Sequence, residues 1–377
     1  MALRVEERIV AGEEGDDLLV HHLVLRGSNR AIGRHLGEIV RARYGVGPPA
    51  ADDPLRVRVQ REWLRRNAPT LFERMRGAAD ALGVDVGDDA YDVTRLGTPP
   101  TTAACSAVFV PPRRTTSGHP LVSRIFECAA PLAQPHRGEP PAASRPYVLE
   151  LHPDDGHASL ALCAFDLLGA ALDGVNSEGL VVAVASDAES AAAGLEPAGP
   201  SVGLDELQVV RTLLDGCATA LQAREALLGA KLYYAAYPAH WLVADRHGDA
   251  FVFEVSSGRN RVHIVDAAGR PLVATNHLLH RHPFDEALPR APDPGGTFAR
   301  WRALATGVAE RQPLDAEMLS AVGERAMALA DGSMRTLWHG IYDGVERTLR
   351  VQFFPCAGKG AEPRAPRPPI ASFQLAA

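Results

Sequence analysis

The alternation of apolar and polar positions changes character along the chain. Leu18–Gly27 (LLVHHLVLRG) reads as a strand following an acidic start, Met1–Asp17. From Asn29, NRAIGRHLGEIVRARYG sets Ile32, Leu36, Ile39 and Val40 on one face of a helix. A second amphipathic helical stretch is predicted over about Pro54–Leu82, and a breaker-rich segment, GTPPTTAA, ends at Ala104. The first hundred residues are therefore expected to be mainly helical and to end in a loop.

From Cys105 the period shortens. CSAVFV, PLVSRIF, RPYVLEL, ASLALCAF, GLVVAVAS, HWLVADRHGDAFVFEV and RVHIVD are β-type runs separated by turn signals, which predicts a multistranded, largely antiparallel sheet system. Helical periodicity returns at Asp205–Leu228, Thr297–Val308 and Asp315–Leu329, before a hairpin, MRTLWHGIYDGVERTLRVQFF, that turns at Asp343-Gly344. The tail after Pro355, with AEPRAPRPP, is expected to be unstructured except for its final residues. Each sheet needs a covering layer for its apolar face, so this order of elements fits a layered α+β domain.

With 377 residues, 46% hydrophobic and 23% charged, the chain has enough apolar content for a substantial core. A net charge of −7 without any run of Lys or Arg argues against nucleic-acid or anionic-membrane partners. The charged N-terminus lacks the apolar stretch of a signal peptide, and no segment has 18 uninterrupted apolar residues, so a cytoplasmic protein is expected. Five cysteines form an odd set without a CxxC pair, which suggests neither a disulfide framework nor a zinc site. His277, His280 and His282, in NHLLHRH, form the one local metal-like cluster. Their spacing puts the three on no common face and no acidic or Cys ligand sits close in sequence, so no metal or cofactor is predicted.

The informative position is Cys105, placed at the start of a β-type run after a Pro/Thr/Ala loop. A Cys there is by itself more often packing than catalysis. The ordered set of strings around it is more specific: AACSAVFV, TTSGHPLVSRIFE, DGVNSEGLVVAV, HWLVADRHGDAFVFEVSSG, VATNHLLHRH, TFARWRAL and TLWHGIYDGVERTLRV, preceded by RGSNRAIGRHLGE. This succession, from about residue 20 to about 354, resembles the C45 peptidase and acyl-CoA:6-aminopenicillanic acid acyltransferase family, and more distantly the choloylglycine hydrolases.

The resemblance implies a four-layer αββα N-terminal-nucleophile (Ntn) sandwich made as one precursor. It divides into a pre-cleavage segment 1–104, a catalytic segment 105–355 and a tail 356–377. Attack of the Cys105 side chain on the Ala104 carbonyl would split it into fragments of roughly 11 and 29 kDa that stay associated. The freed α-amine, with an ordinary pKa of about 7.7 to 8.0, then accepts the thiol proton and removes the need for a His base. Implied site residues are Asn276 as the centre of the oxyanion donors, Asn176 lining the site, and Arg124 and Glu127 steadying the nucleophile and its amine. Arg300 joins them, with Arg302 the alternative if the register differs.

Each of these has a plainer reading. NSEG is good turn chemistry and Asn276 suits a strand end. Arg124 and Glu127 fit an exposed strand ion pair, and arginines at helical spacing solvate a face. Phe126, Phe165, Tyr233, Tyr234 and Trp241 serve either an apolar acyl pocket or the core. The implied reaction forms an acyl-thioester on Cys105 from a small-molecule amide, ester or thioester and passes it to water or an amine. An unprocessed thiol hydrolase using His119 or His240, and an inactive binding protein of the same fold, stay open as alternatives.

Overall fold

The computed structural model describes residues 2–97, 103–129, 145–192, 201–256, 261–310, 312–327, 334–356 and 368–376. Residues 98–102 of the breaker-rich segment, 328–329 of the last predicted helix and 357–367 of the Pro-rich tail lie outside the described residues.

In chain order the strands are β1 (Arg4–Ala11), β2 (Val20–Gly27), β3 (Ala103–Val110), β4 (Leu121–Ala129), β5 (Tyr147–Pro153), β6 (Ser159–Cys163), β7 (Asp173–Asn176) and β8 (Val181–Ser186). Next come β9 (Ala239–Ala244), β10 (Ala250–Ser256), β11 (Arg261–Asp266), β12 (Leu272–Ala274), β13 (Met334–Asp343), β14 (Thr348–Phe353) and β15 (Ile370–Gln374). The helices are α1 (Asn29–Tyr44), α2 (Pro54–Asn67), α3 (Pro69–Leu82), α4 (Ala188–Ala192), α5 (Gln208–Gly216), α6 (Ala220–Gly229), α7 (Thr297–Glu310) and α8 (Ala316–Met327).

They build two sheets, β1-β2-β5-β6-β7-β8-β9-β10-β11 and β12-β3-β4-β13-β14-β15. The first is covered outside by α1, which meets β2, by α5 on β7 and β8, and by α6 on β9 and β10; the second is covered by α7 and α8. Between them β3 lies against β8. The layers thus run helix, sheet, sheet, helix, as the family resemblance implied. β8 and β9 are buried along their whole length, which is why they read as nearly continuous apolar runs rather than alternating ones.

Several boundaries differ from the sequence reading for local reasons. The stretch Pro54–Leu82 is two helices, because Pro69 offers no N–H and its ring pushes Ala68 out of the helical region, to φ −141° and ψ 62°. The stretch after Asp205 also divides. Cys217 turns extended and Thr219 caps α6, accepting from the Gln222 N–H at 3.2 Å. β1 has no counterpart in the sequence reading. Its residues Arg4–Arg8 are exposed and largely charged, so no apolar face marks it; pairing with β2 holds it, as do ion pairs from Glu7 to His21 and Arg43. The described residues before Ala103 thus contain two strands and three helices. The tail returns as β15 beside β14.

The segment before Cys105 is woven into the rest. β2 runs parallel to β5, the one parallel pair among the described strand pairs. The guanidinium of Arg74, in α3, is buried and donates to both oxygens of Asp215 in α5 at 2.7 and 3.2 Å, and to Asn29 Oδ1 at 2.8 Å. α1 and α3 approach so closely that a Cβ on Gly33 would lie 1.9 Å from the Arg74 carbonyl oxygen. Backbone contact of this kind has no flexible side chain to yield, and overpacking typically costs about 1–3 kcal/mol. Gly33→Ala is therefore expected to lower stability by at least about 2 kcal/mol. Chemical denaturation checks it, and an unchanged midpoint would show that the helices part freely.

Candidate active site

β3 begins at Ala103, so Cys105 is its third residue and the Ala104–Cys105 bond lies within paired strand rather than at a loop end. Ala104 faces Glu127, Cys105 faces Phe126 and Ala107 faces Arg124 across β3 and β4. Strand side chains alternate, so Cys105, Ala107, Arg124 and Phe126 project between the sheets, whereas Ile125 and Glu127 project toward the helices. Arg124 and Glu127, three positions apart on a regular strand, thus serve opposite faces.

Cys105 is buried, at 2% exposure, and three side chains from three parts of the chain hold it. Arg124 Nη2 donates to its Sγ at 3.0 Å. Its own N–H donates to Asn276 Oδ1 at 3.0 Å. Its carbonyl accepts from Arg300 Nη1 at 2.9 Å.

Arg124 is fully enclosed. It also donates to the Val184 carbonyl of β8 at 2.8 Å and to the Ile125 carbonyl, and its Nε lies 3.5 Å from Asp173 Oδ2 on β7. Burial opposes the guanidinium charge, but Cys105 and Asp173 more than offset it and hold its pKa above the ordinary value. Burial in turn pushes the Asp173 carboxyl up, against the pull of Arg124 and a hydrogen bond from the Tyr342 hydroxyl of β13.

Asn276 lies just past β12. Its N–H donates to Thr297 Oγ1 at 2.8 Å, which ties it to the start of α7. Its Nδ2 donates to the carbonyl and hydroxyl of Ser186 at 2.8 and 2.9 Å, while Oδ1 also accepts from Arg300 Nη2 at 2.6 Å. Cys105 N–H and Arg300 are donors only, so they require the amide oxygen on their side. The donor end of Asn276 therefore faces Ser186, which departs from the oxyanion role expected of it.

Arg300 settles the register in α7. It is 1% exposed, bonds Ser106 Oγ at 2.8 Å, and has Nη1 3.4 Å from Glu127 Oε2. Arg302 instead points outward to Asp285. Glu127 thus meets Arg300 on the helical side of the sheet.

Asn176 is not brought into contact with Cys105. It ends β7, donates Nδ2 to the Leu214 and Cys217 carbonyls at 3.0 and 2.7 Å, and accepts at Oδ1 from the Glu178 and Leu180 N–H groups. That is the turn chemistry its NSEG setting also suggested, and it anchors the end of α5 to the sheet.

The histidines lie elsewhere. His119 Nδ1 pairs with Asp343 at 2.9 Å and His240 Nε2 bonds the Thr275 carbonyl at 2.7 Å. In NHLLHRH, His280 meets Glu254 and His282 meets Glu189, at 2.7 and 2.8 Å. Buried His277 rests on Thr275 and Thr297, and burial, with His240, His282 and Arg300 nearby, lowers its pKa to about 3. These partners brace the loop that presents Asn276. Of the aromatic candidates, Phe126 stacks on Trp338 with centroids 4.4 Å apart, and the Trp241 indole donates to the Glu206 carbonyl at 2.9 Å.

Sequence reasoning missed Asp173, Tyr342 and Ser186. Asp173 stands in the DGVNSEG string, but its role depends on which strand faces it. Ser186, ending the apolar run of β8, gave no signal of its own.

Solved structures similar to this chain include those of an acylase, a hydrolase and an amidase. Penicillin V acylase from Agrobacterium tumefaciens has 14% identity, covers 72% of this chain and 86% of its own, and has a TM-score of 0.46. The C2A mutant of conjugated bile acid hydrolase from Clostridium perfringens has 11%, 72%, 92% and 0.49. The N-acylethanolamine-hydrolyzing acid amidase ortholog of Caenorhabditis elegans has 14%, 64%, 93% and 0.40. These scores are too low to bear on chemistry. Comparison with curated protein sequences gives no match. The model of one family, acyl-coenzyme A:6-aminopenicillanic acid acyl-transferase, matches residues 138–354, which takes in Asn176, Asn276 and Arg300 but not Cys105, Arg124 or Glu127. Because that match spans more than half of the chain, the protein belongs to the acyl-coenzyme A:6-aminopenicillanic acid acyl-transferase family.

Proposed function

We propose that the chain is a self-processing Ntn acyl hydrolase or acyltransferase with Cys105 as its nucleophile, acting on a small-molecule amide, ester or thioester. The observation that carries this reading is the triple hold on Cys105: thiol to Arg124, N–H to Asn276 and carbonyl to Arg300. Any buried residue needs partners for its backbone N–H and carbonyl, but a cysteine that only packs needs no guanidinium on its sulfur.

In the proposed processing step, the Cys105 sulfur attacks the Ala104 carbonyl carbon, the Ala104–Cys105 C–N bond breaks, and the thiol proton passes to the leaving nitrogen, giving a thioester and a free amine. Water then cleaves the thioester, leaving a carboxylate on Ala104 and an α-amine on Cys105. Asn276 Oδ1 already accepts from that nitrogen and would orient the new amine toward Sγ. In turnover the amine takes the thiol proton, the sulfur attacks the substrate acyl carbon, and the amine returns the proton to the leaving group. Arg124 favours the thiolate, and Arg300 fixes the Cys105 carbonyl. His119 and His240 bond other partners, which weighs against a conventional Cys/His pair. The two segments share β2–β5 and the Arg74–Asp215 pair, which supports their staying together after cleavage. Among the described residues no helix is long and apolar enough to cross a membrane.

Intact-protein mass spectrometry tests the processing step. Wild type should resolve into fragments of roughly 11 and 29 kDa that coelute under native conditions, whereas Cys105→Ala should stay whole. A whole wild-type chain would overturn self-cleavage. For turnover, Asn276→Ala frees the amine from its acceptor, and misplacement of about 1 Å at a reacting group costs on the order of 100-fold. A drop in kcat/KM of that size is expected, measured on any amide that wild type cleaves. The rate should also rise with pH through about 7.7 to 8.0, where the α-amine loses its proton. A profile flat across that range would argue against an amine base.

A further inference from the structure

Arg124 is the only guanidinium within hydrogen-bond distance of Cys105 Sγ among the described residues, and it faces a thiol and a carboxyl at once. Nη2 is 3.0 Å from the thiol sulfur, and Nε is 3.5 Å from Asp173 Oδ2. Asp173 comes from the other sheet and is fully buried, so its presence beside Arg124 is a feature of sheet-on-sheet packing and not of surface solvation. Burial pushes this carboxyl up, and the donors around it oppose that push. Besides Arg124 there is the Tyr342 hydroxyl, bonded to Oδ1, and the Trp338 indole faces it from the same strand.

We propose that Asp173 is a positioning residue for Cys105: by sharing the Arg124 charge it limits how strongly that charge stabilises the thiolate, and it aims the guanidinium at Sγ. The inference rests on Cys105 being the nucleophile. One cation between two anions divides its field between them, so removing one anion strengthens its hold on the other. The division matters because a thiol held too firmly as thiolate is a weaker nucleophile, reactivity falling as thiol pKa falls. Tyr342 acts one step further out, by keeping Asp173 ionised inside an apolar layer.

The other groups facing the thiol are few. Tyr237, from the segment leading into β9, interacts with Cys105, and burial holds its hydroxyl well above the ordinary value. Arg300 approaches from α7 but donates to the Cys105 carbonyl and Asn276. Cys163, whose thiol also feels Asp173, is pushed up to about 11 by burial.

The test is a spectroscopic titration of Cys105 in the full-length protein, following thiolate ultraviolet absorbance and subtracting the same variant carrying Cys105→Ser. It requires neither cleavage nor turnover. Asp173→Asn keeps the shape and removes the charge, so the thiol midpoint should fall by about one pH unit, giving about tenfold more thiolate at a fixed pH below the wild-type midpoint. Tyr342→Phe leaves a buried carboxyl without its hydroxyl donor. It should move the midpoint the same way by less, and it serves as the test if Asp173→Asn does not fold. Asp173→Glu keeps the charge and should restore most of the wild-type midpoint. In an Arg124→Gln background, Asp173→Asn should no longer lower the midpoint, because the cation that transmits the effect is gone. A midpoint that stays put or rises in folded Asp173→Asn or Tyr342→Phe overturns the proposal. That failure is separable from failure of the functional reading: acyl transfer without the shift sinks only this inference, and the shift without acyl transfer sinks only the other.

Discussion

The architecture turns on a buried cation. Arg124 lies between two sheets, in a space too apolar to hold a charge unless the charge is answered on several sides. Desolvating an arginine costs several kcal/mol, and only a converging set of acceptors offsets it. Here they come from separate strands: the Val184 carbonyl from β8, Asp173 from β7 and the sulfur of Cys105 from β3. Val184 and Asp173 tie Arg124 to the other sheet and Cys105 lies on its own sheet, so the packing of the two layers and the placement of the nucleophile are one problem with one solution. A second buried arginine, Arg300, repeats the arrangement on the opposite face of the same strand, with Ser106, Asn276 and Glu127 as its partners.

This doubling separates two duties that sit close in sequence. The thiol and its charge environment occupy the inter-sheet face, while the backbone of Cys105 is gripped from the helical side through its carbonyl and through the loop after β12. A β-strand is well suited to this, because its side chains diverge while its backbone stays in the plane between them.

The sequence made the layered α+β class legible, since helix-period and strand-period segments alternate in the order the layers require. It also singled out residues that the structure brings onto Cys105: Arg124, Asn276 and Arg300. The features it blurred were consequences of geometry beyond a local window. Asn276 has two amide ends, and only the donors around it, Cys105 N–H and Arg300, decide which end faces the nucleophile. Glu127 is three positions from Arg124, a spacing that joins residues on a helix and parts them on a strand. Asn176 suits both a turn and a site by its sequence, and its contacts are those of a turn. Asp173 and Tyr342 meet Arg124 only after three strands from two sheets have assembled, a relation that no short motif encodes. β1 was invisible because an exposed strand has no apolar stripe.

That strand has a consequence of its own. β1 closes one end of a nine-stranded sheet, and an uncovered sheet end is a template on which another copy could pair. The run Arg4, Glu6, Glu7 and Arg8, exposed and of mixed sign, is poorly matched to such pairing. A chain lacking β1 and β2 would instead present β5, apolar along most of its length, as the terminal strand. A strand at the far end of the sheet order from β8, which lies against the nucleophile's strand, thus keeps an apolar strand from becoming an open edge.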